Sequence, residues 1–236
     1  MGHFYCDFVL SAGDHFYRDG VTSVQSPRFN ITFEDVYTAP SLYIPWYTVL
    51  GNHDIKIPGS VQALLAYHNV SKRWEFPSTF YKASYQDVSE YLFVVGHHAV
   101  WSASLHGPSE CLVQWLRPML HEHNVSAYLS GHEHTMELLR HKFKGSSVDY
   151  VISGTGGTEM PGLWSILSIP DGSLLYDYDG GEEGKVGNMS GRPLGGFVVG
   201  QVNASAAEFS FYRGDRYLLY RTAILPRPNQ ELQELD

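Results

Sequence analysis

Largely apolar runs at residues 8–12, 46–50, 91–95, 127–129 and 148–152 recur along the chain, each bounded by turn-forming residues. Short runs of that kind predict buried strands. Four of the five open onto a glycine followed by side chains able to bind metal: Gly13-Asp14, Gly51-Asn52-His53-Asp54, Gly96-His97-His98 and Gly131-His132-Glu133-His134. A glycine lets the backbone turn sharply and displays the next residue at the strand's carboxyl end, the edge where open α/β sheets bind ligands. The fifth run ends in Ser153-Gly154-Thr155-Gly156-Gly157. Without a following Lys-Ser or Lys-Thr this is no P-loop, and it reads as a tight turn beside the other loops.

Between the runs the apolar spacing changes to that of helices. Residues 28–37 read as helical up to Pro40, and 59–74 as an amphipathic helix with Val61, Leu64, Leu65 and Val70 on one side. Residues 110–123 carry Leu112, Trp115, Leu116, Met119 and Leu120 at helical spacing, with Pro118 set to kink or interrupt them. Residues 165–191, rich in Gly, Asp and Ser, read as a long loop, and 197–202, 208–212 and 217–222 as an antiparallel meander. Arg213-Gly214-Asp215 falls at the last turn, where a hairpin explains it more simply than an integrin-type recognition motif. Strands alternating with helices predict an α/β fold, in a single domain over residues 1–236.

Composition narrows the partners. A formal charge of −9 with no basic stripe speaks against nucleic acid or an anionic membrane surface. An acidic chain that binds phosphate needs cations to do so. No apolar run approaches a bilayer span, and the first residues lack the pattern of a secretion signal. Five Asn-x-Ser/Thr sequons, at Asn30, Asn69, Asn124, Asn188 and Asn203, point the other way, toward maturation in the secretory pathway. Residues alone leave the compartment open. The two cysteines, Cys6 and Cys111, make no disulfide framework.

The loop residues then suggest a chemistry. In Gly131-His132-Glu133-His134 the two imidazoles, two residues apart at a strand end, point to the same side and can serve one ion or two neighbouring ones. Asp14 offers a carboxylate that can bridge, Tyr17 lies within reach of the same centre, Asn52 offers an amide oxygen, and His97, directly after its glycine, a further imidazole. Asp54 is a candidate anchor for a neighbouring imidazole. The mixed N/O set suits two borderline or hard cations such as iron, zinc or manganese. Two ions about 3.5–4 Å apart hold a hydroxide between them and clamp a phosphoryl oxygen, so a phosphate ester is the expected substrate. His53 and His106, outside the ligand set, are the candidates to steady the transition state or protonate the leaving alkoxide.

These motifs resemble the metallophosphoesterase superfamily, and within it the short, animal-type (tartrate-resistant) purple acid phosphatases. The resemblance rests on Gly13-Asp14-x-x-Tyr17, Gly51-Asn52-His53-Asp54, Gly96-His97 with Val100-Trp101-Ser102, Gly131-His132-x-His134, and the segments 71–74 and 106–108. Tyr17 singles out this branch, in which a tyrosinate ligates ferric iron. The resemblance implies a four-layer α/β/β/α sandwich and an acid phosphatase acting on phosphate monoesters, small molecules or phosphoproteins. It assigns Asp14, Tyr17 and His134 to Fe(III), and Asn52, His97 and His132 with bridging Asp14 to a divalent Fe, Zn or Mn. His53 and His106 become the catalytic pair. A monomer in the lysosome or outside the cell is the corresponding setting.

Three departures from that pattern carry expectations of their own. The family's earlier Asp-x-Gly strand, whose aspartate also serves the ferric site, is absent before residue 8, and a strand-helix unit is missing near Tyr85 and Asp87, together with the usual disulfide partner of Cys111. His15 stands where the family usually has Asn. From these come a chain lacking the first strand and one internal unit, less stable than a complete member, with free cysteines and a divalent site stronger than the ferric one. Two other readings stay open: an inactive metal-binding or interaction glycoprotein, and a phosphodiesterase of the same superfamily.

Overall fold

Three parallel strands, each only two or three residues long, form the first sheet: β1 (Val9–Ser11), β2 (Trp46–Thr48) and β3 (Trp74–Glu75), in the order β1-β2-β3. This computed structural model describes residues 5–85, 90–156, 162–178 and 195–227. Gly157, Asn188 and the junction at Asp87 lie outside them. Contacts divide the chain into two units, Met1–Ala83 with Val95–His97, and Ser84–Val94 with His98–Asp236.

The first unit is built around Trp74. Its ring is fully buried and meets Phe16, Phe29, Phe33 and Tyr67 at centroid distances of 5.2 to 6.2 Å, mostly edge to face. That arrangement suits the ring quadrupoles. Helix α1 (Ser60–Tyr67) starts after Gly59, whose φ of 85° only glycine adopts freely, and stops seven residues short of the expected end. The chain has to swing back there so that Trp74 can enter the sheet, which leaves Val70 63% exposed while Ala63, Leu64 and Tyr67 face inward. The segment 28–37 forms a π-helical turn, Asn30–Glu34, in place of an α-helix. Its wide turn presents Phe29, stacked 3.7 Å from Tyr67, and Phe33, edge-on to Trp46, to the same core.

Asp54 ties this unit's loops together. Its carboxylate is 0% exposed and accepts the backbone N–H groups of Asp14, His15, Phe16 and Gly51 at 2.8 to 3.0 Å. The His15 imidazole adds a fifth contact through Nδ1 at 3.0 Å. Burial would raise this carboxyl, but the charge and hydrogen bond of His15 and the backbone donors outweigh burial and lower it. Asp54 therefore anchors the loop after β1 and the His15 ring, not the imidazole of His53.

The second unit has a five-stranded mixed sheet in the order β4-β5-β7-β6-β8: β4 (Phe93–Val95), β5 (Ala127–Ser130), β6 (Met136–Phe143), β7 (Ser146–Ser153) and β8 (Leu174–Asp177). Strand alternation gives the sheet two apolar faces. Tyr128, Leu139, Val148, Tyr150 and Ile152 face one core with Leu120 of α2 (Arg117–Glu122). Ala127, Met136, Leu138 and Val151 face another with Ala207, Phe209 and Phe211. Those last three belong to the central strand of a meander, β9 (Gly196–Val202), β10 (Ala207–Arg213) and β11 (Leu218–Ile224), antiparallel as expected. A helix, a sheet and a second sheet thus stack in this unit, and the chain as described is a mixed α/β protein.

The segment with Pro118 resolves its conflict by changing helix type. A π-helical turn, Leu112–Leu116, runs into α2 with Pro118 in its first turn, where a missing N–H costs nothing. The wider turn shifts the phase, so Leu112, Leu116 and Leu120 face the core while Trp115 and Met119 are 69% and 53% exposed. Strands β6 and β8 were not expected. The two-residue turn Lys144-Gly145, both at positive φ, joins β6 to β7 with the twist of a hairpin, and β8 pairs with the other edge of β6. Arg213-Gly214-Asp215 does lie at the β10–β11 turn, where the Arg213 guanidinium pairs with Asp215 at 2.8 and 3.0 Å and Asp215 also accepts the Tyr217 N–H at 3.1 Å. Both cysteines are free thiols.

Glu137 on β6 is 0% exposed and accepts the Ser102 hydroxyl and the Ala103 N–H, each at 2.9 Å. Burial pushes its carboxyl up to about 7, with smaller contributions from Asp177 and Glu133. A carboxyl raised in the folded state stabilises most below its unfolded value and loses that contribution as pH rises through the folded one. Between pH 5 and pH 8 the protein should lose on the order of 3 kcal/mol of stability through this group, a slope that Glu137→Gln removes in denaturant unfolding at the two pH values. Asp54→Asn should act differently. It turns an amide donor toward backbone donors at a fully buried position, so the same measurement at one pH should show a loss of about 2–4 kcal/mol.

Candidate metal centre

Strand ends supply the candidate ligands of the first unit. Gly13 and Gly51 pack backbone to backbone: a Cβ on Gly13 would lie 2.7 Å from the Gly51 nitrogen, and one on Gly51 would lie 2.1 Å from Asp14 Oδ1. Only glycine permits this approach, and it sets Asp14 beside the Asn52-His53 loop. Asp14 itself holds a φ of 59°, as does His132 in the second unit. Left-handed backbone at a non-glycine residue costs about 1–3 kcal/mol and clusters at functional sites.

Around Asp14 three metal-type donors converge. His97 Nδ1 lies 2.7 Å from the Ala12 carbonyl, so it carries a proton and donates there. The other ring nitrogen, Nε2, lies 3.0 Å from Asn52 Oδ1 and 3.2 Å from Asp14 Oδ2. In neutral imidazole that nitrogen is a lone pair facing two acceptor oxygens, an arrangement stabilised by a proton or by a shared cation. The donor set of carboxylate, amide oxygen and imidazole fits a hard or borderline metal ion. Burial raises the Asp14 carboxyl, but the His97 ring, which donates to it when it carries a second proton, the His53 N–H at 2.7 Å and the Tyr17 hydroxyl at 3.1 Å together outweigh burial and hold it well below the carboxylate range. Burial first, then the charge of Asp14, pushes the Tyr17 phenol well above its usual range. The His53 ring sits 4.4 Å from that of Tyr17, with Nδ1 2.6 Å from the Arg18 carbonyl and 2.9 Å from Lys56 Nζ. His15 has both nitrogens engaged, with Asp54 and with the Ser11 hydroxyl at 2.9 Å, which leaves it no ring nitrogen for a metal.

The second unit gathers its own set. His106, His132 and Glu133 each offer one ligand atom, all within 4.8 Å of one another. The His132 ring lies 4.7 Å from that of His106 and 4.0 Å from that of His98, which is exposed and not turned into the core. His134 is half-buried and stands outside that group. Glu133, which the sequence reading passed over, is 1% exposed, and its carboxylate takes the backbone N–H of His106 at 3.2 Å and faces His106 Nδ1 at 3.2 and 3.3 Å. Its one sequence signal is an acid between two histidines. Gly154 lets the glycine-rich turn press on this loop, since a Cβ there would sit 1.8 Å from the Glu133 carbonyl oxygen.

Comparison with known proteins places these motifs. The calcineurin-like phosphoesterase family matches residues 5–136. Human tartrate-resistant acid phosphatase type 5 is 32% identical over 274 aligned positions, which take in 94% of this chain and 79% of the relative. Because the alignment is longer than the 236-residue chain, the relative carries stretches that this chain lacks. Among solved structures, the GAP50 anchor of the inner membrane complex of Plasmodium matches with a TM-score of 0.74 at 18% identity, over 95% of this chain and 80% of that one. A purple acid phosphatase from yellow lupin matches with a TM-score of 0.61 at 14% identity, over 94% of this chain and 47% of that one. At such identities the structural likeness shows the fold alone. The family match and the human relative carry more: the chain belongs to the calcineurin-like phosphoesterases, in their tartrate-resistant, or purple, acid phosphatase branch.

Proposed function

We propose that this phosphoesterase is an acid phosphatase that hydrolyses phosphate monoesters with two metal ions, Fe(III) and a divalent Fe, Zn or Mn. Asp14, Tyr17 and His134 would hold the first, and Asn52, His97 and His132 the second, with Asp14 shared. The observation that carries the reading is the approach of Asn52 Oδ1 and Asp14 Oδ2 to His97 Nε2, at 3.0 and 3.2 Å. A cation shared among them would satisfy all three. When bound, the ions supply Lewis acidity toward a phosphoryl oxygen and a nucleophile from water at acid pH.

The chain's own side chains do the rest. The Ala12 carbonyl fixes the His97 tautomer, as a partner outside the ligand set usually does for a metal-binding histidine. Glu133 orients the His106 ring through Nδ1 and the backbone, leaving Nε2 to protonate the leaving oxygen of the ester. His53, held against Tyr17, would steady charge on the transferring group. Asn30, Asn69 and Asn203 are exposed, as glycosylation in the secretory pathway requires, which supports a lysosomal or secreted glycoprotein.

Purified protein should hydrolyse p-nitrophenyl phosphate at pH 5 and lose that activity on chelation. Asn52→Ala and His132→Ala should each lower kcat/KM by a factor of at least about 100 and reduce bound metal. Metal retained without turnover in the unaltered chain would favour an interaction role instead. A second expectation concerns Tyr17. As a ferric ligand it should give a visible tyrosinate absorption that grows as ferric ion is added and is absent in Tyr17→Phe.

A further inference from the structure

Residues 162–170, Gly-Leu-Trp-Ser-Ile-Leu-Ser-Ile-Pro, carry no charged side chain in a chain with a formal charge of −9. Within them Leu163, Trp164, Ile166 and Leu167 are 43%, 72%, 38% and 97% exposed. A connecting loop has no need of four large apolar side chains in water. Apolar surface of this kind marks a binding site.

The loop is fastened to the segment that carries His106. The Ser165 N–H donates to the Ala103 carbonyl at 2.8 Å. On the other side Gly107, at a φ of 69°, comes so close that a Cβ would lie 2.7 Å from Ser165 Oγ. A 3-10 turn, Ile166–Ser168, closes the loop, with the Ser168 N–H on the Ser165 carbonyl at 2.9 Å. The Trp164 ring lies against Gly162, where a Cβ would meet its Nε1 at 2.5 Å, so its rotamer is set by the backbone. Leu105, directly before His106, is also half exposed and extends the apolar surface on the His106 segment.

We propose that Leu105, Trp164 and Leu167 form the surface that receives the organic part of the ester, and that the protein prefers phosphate esters of aromatic or other apolar alcohols. This rests on the phosphoester reading, in which His106 serves the leaving oxygen. An alcohol bonded to that oxygen extends from His106 toward its surroundings, and this loop is fastened on both sides of His106 in the chain, at Ala103 and at Gly107. Being uncharged, the loop neither attracts nor repels the phosphate, so it discriminates by the organic group alone. Apolar surfaces separate such groups by about 10- to 200-fold.

Two phosphonates, which the protein cannot hydrolyse, test this without turnover. Calorimetric titration of the metal-loaded full chain should show benzylphosphonate binding more tightly than methylphosphonate, by about tenfold. In Trp164→Ala with Leu167→Ser, both exposed positions, that ratio should fall toward one. Equal affinities in the unaltered protein, binding of neither phosphonate, or a ratio that survives the double substitution would overturn the proposal. So would loss of binding to phosphatidylcholine vesicles with the ratio unchanged, which would assign the loop to a membrane. p-Nitrophenyl phosphate turnover on the same sample judges hydrolysis separately: selective phosphonate binding without turnover would defeat the hydrolytic reading and leave the binding surface standing.

Discussion

One buried carboxylate with five donors around it, Asp54, sets the geometry on which the first unit's candidate ligands depend. It stands at the end of one strand's loop and collects the amides of the loop that follows another strand, so the two turns keep a common register. Asp14 can hold its left-handed backbone because its own N–H and the two amides after it are tied down by this acceptor. The strain of displaying a ligand is thus met by an ion with many hydrogen bonds, a use of burial that an apolar residue of the same size would not provide.

What could be read in the sequence was local. Strand, glycine and ligand-type residue follow one another within a few positions, so Gly13-Asp14, Gly51-Asn52 and Gly131-His132 announced themselves before any contact was known. What could not be read spans long separations. Glu133 meets His106 across 27 residues, and Asp54 meets Asp14 across 40. No window of the sequence distinguishes an acid that holds a distant loop from one that faces water.

The same limit explains the missed strands. Residues 136–143, Met-Glu-Leu-Leu-Arg-His-Lys-Phe, look half charged, and an acid or a base at an inward position argues against a buried strand. In the fold Glu137 is capped by Ser102 and Ala103, and Arg140 makes a two-bonded ion pair with Asp149 on β7 at 2.6 and 2.7 Å. Each charge is satisfied by a neighbour that the primary structure does not place beside it. Helix 59–74 erred in the opposite sense, because its apolar spacing continues past Tyr67 while the sheet needs Trp74 as a strand residue.

The glycines at 13 and 51 have a consequence for how relatives of this chain should be recognised. A candidate ligand such as Asn52 or His97 can be exchanged for another polar residue without forcing one backbone into another. A side chain on Gly13 or Gly51 would drive one loop's backbone through the other. A descendant that had given up catalysis altogether would therefore keep the glycines after its metal ligands had drifted. Spacing of glycine after short apolar runs, more than the histidines themselves, is the trace by which such silent members of the lineage can be found.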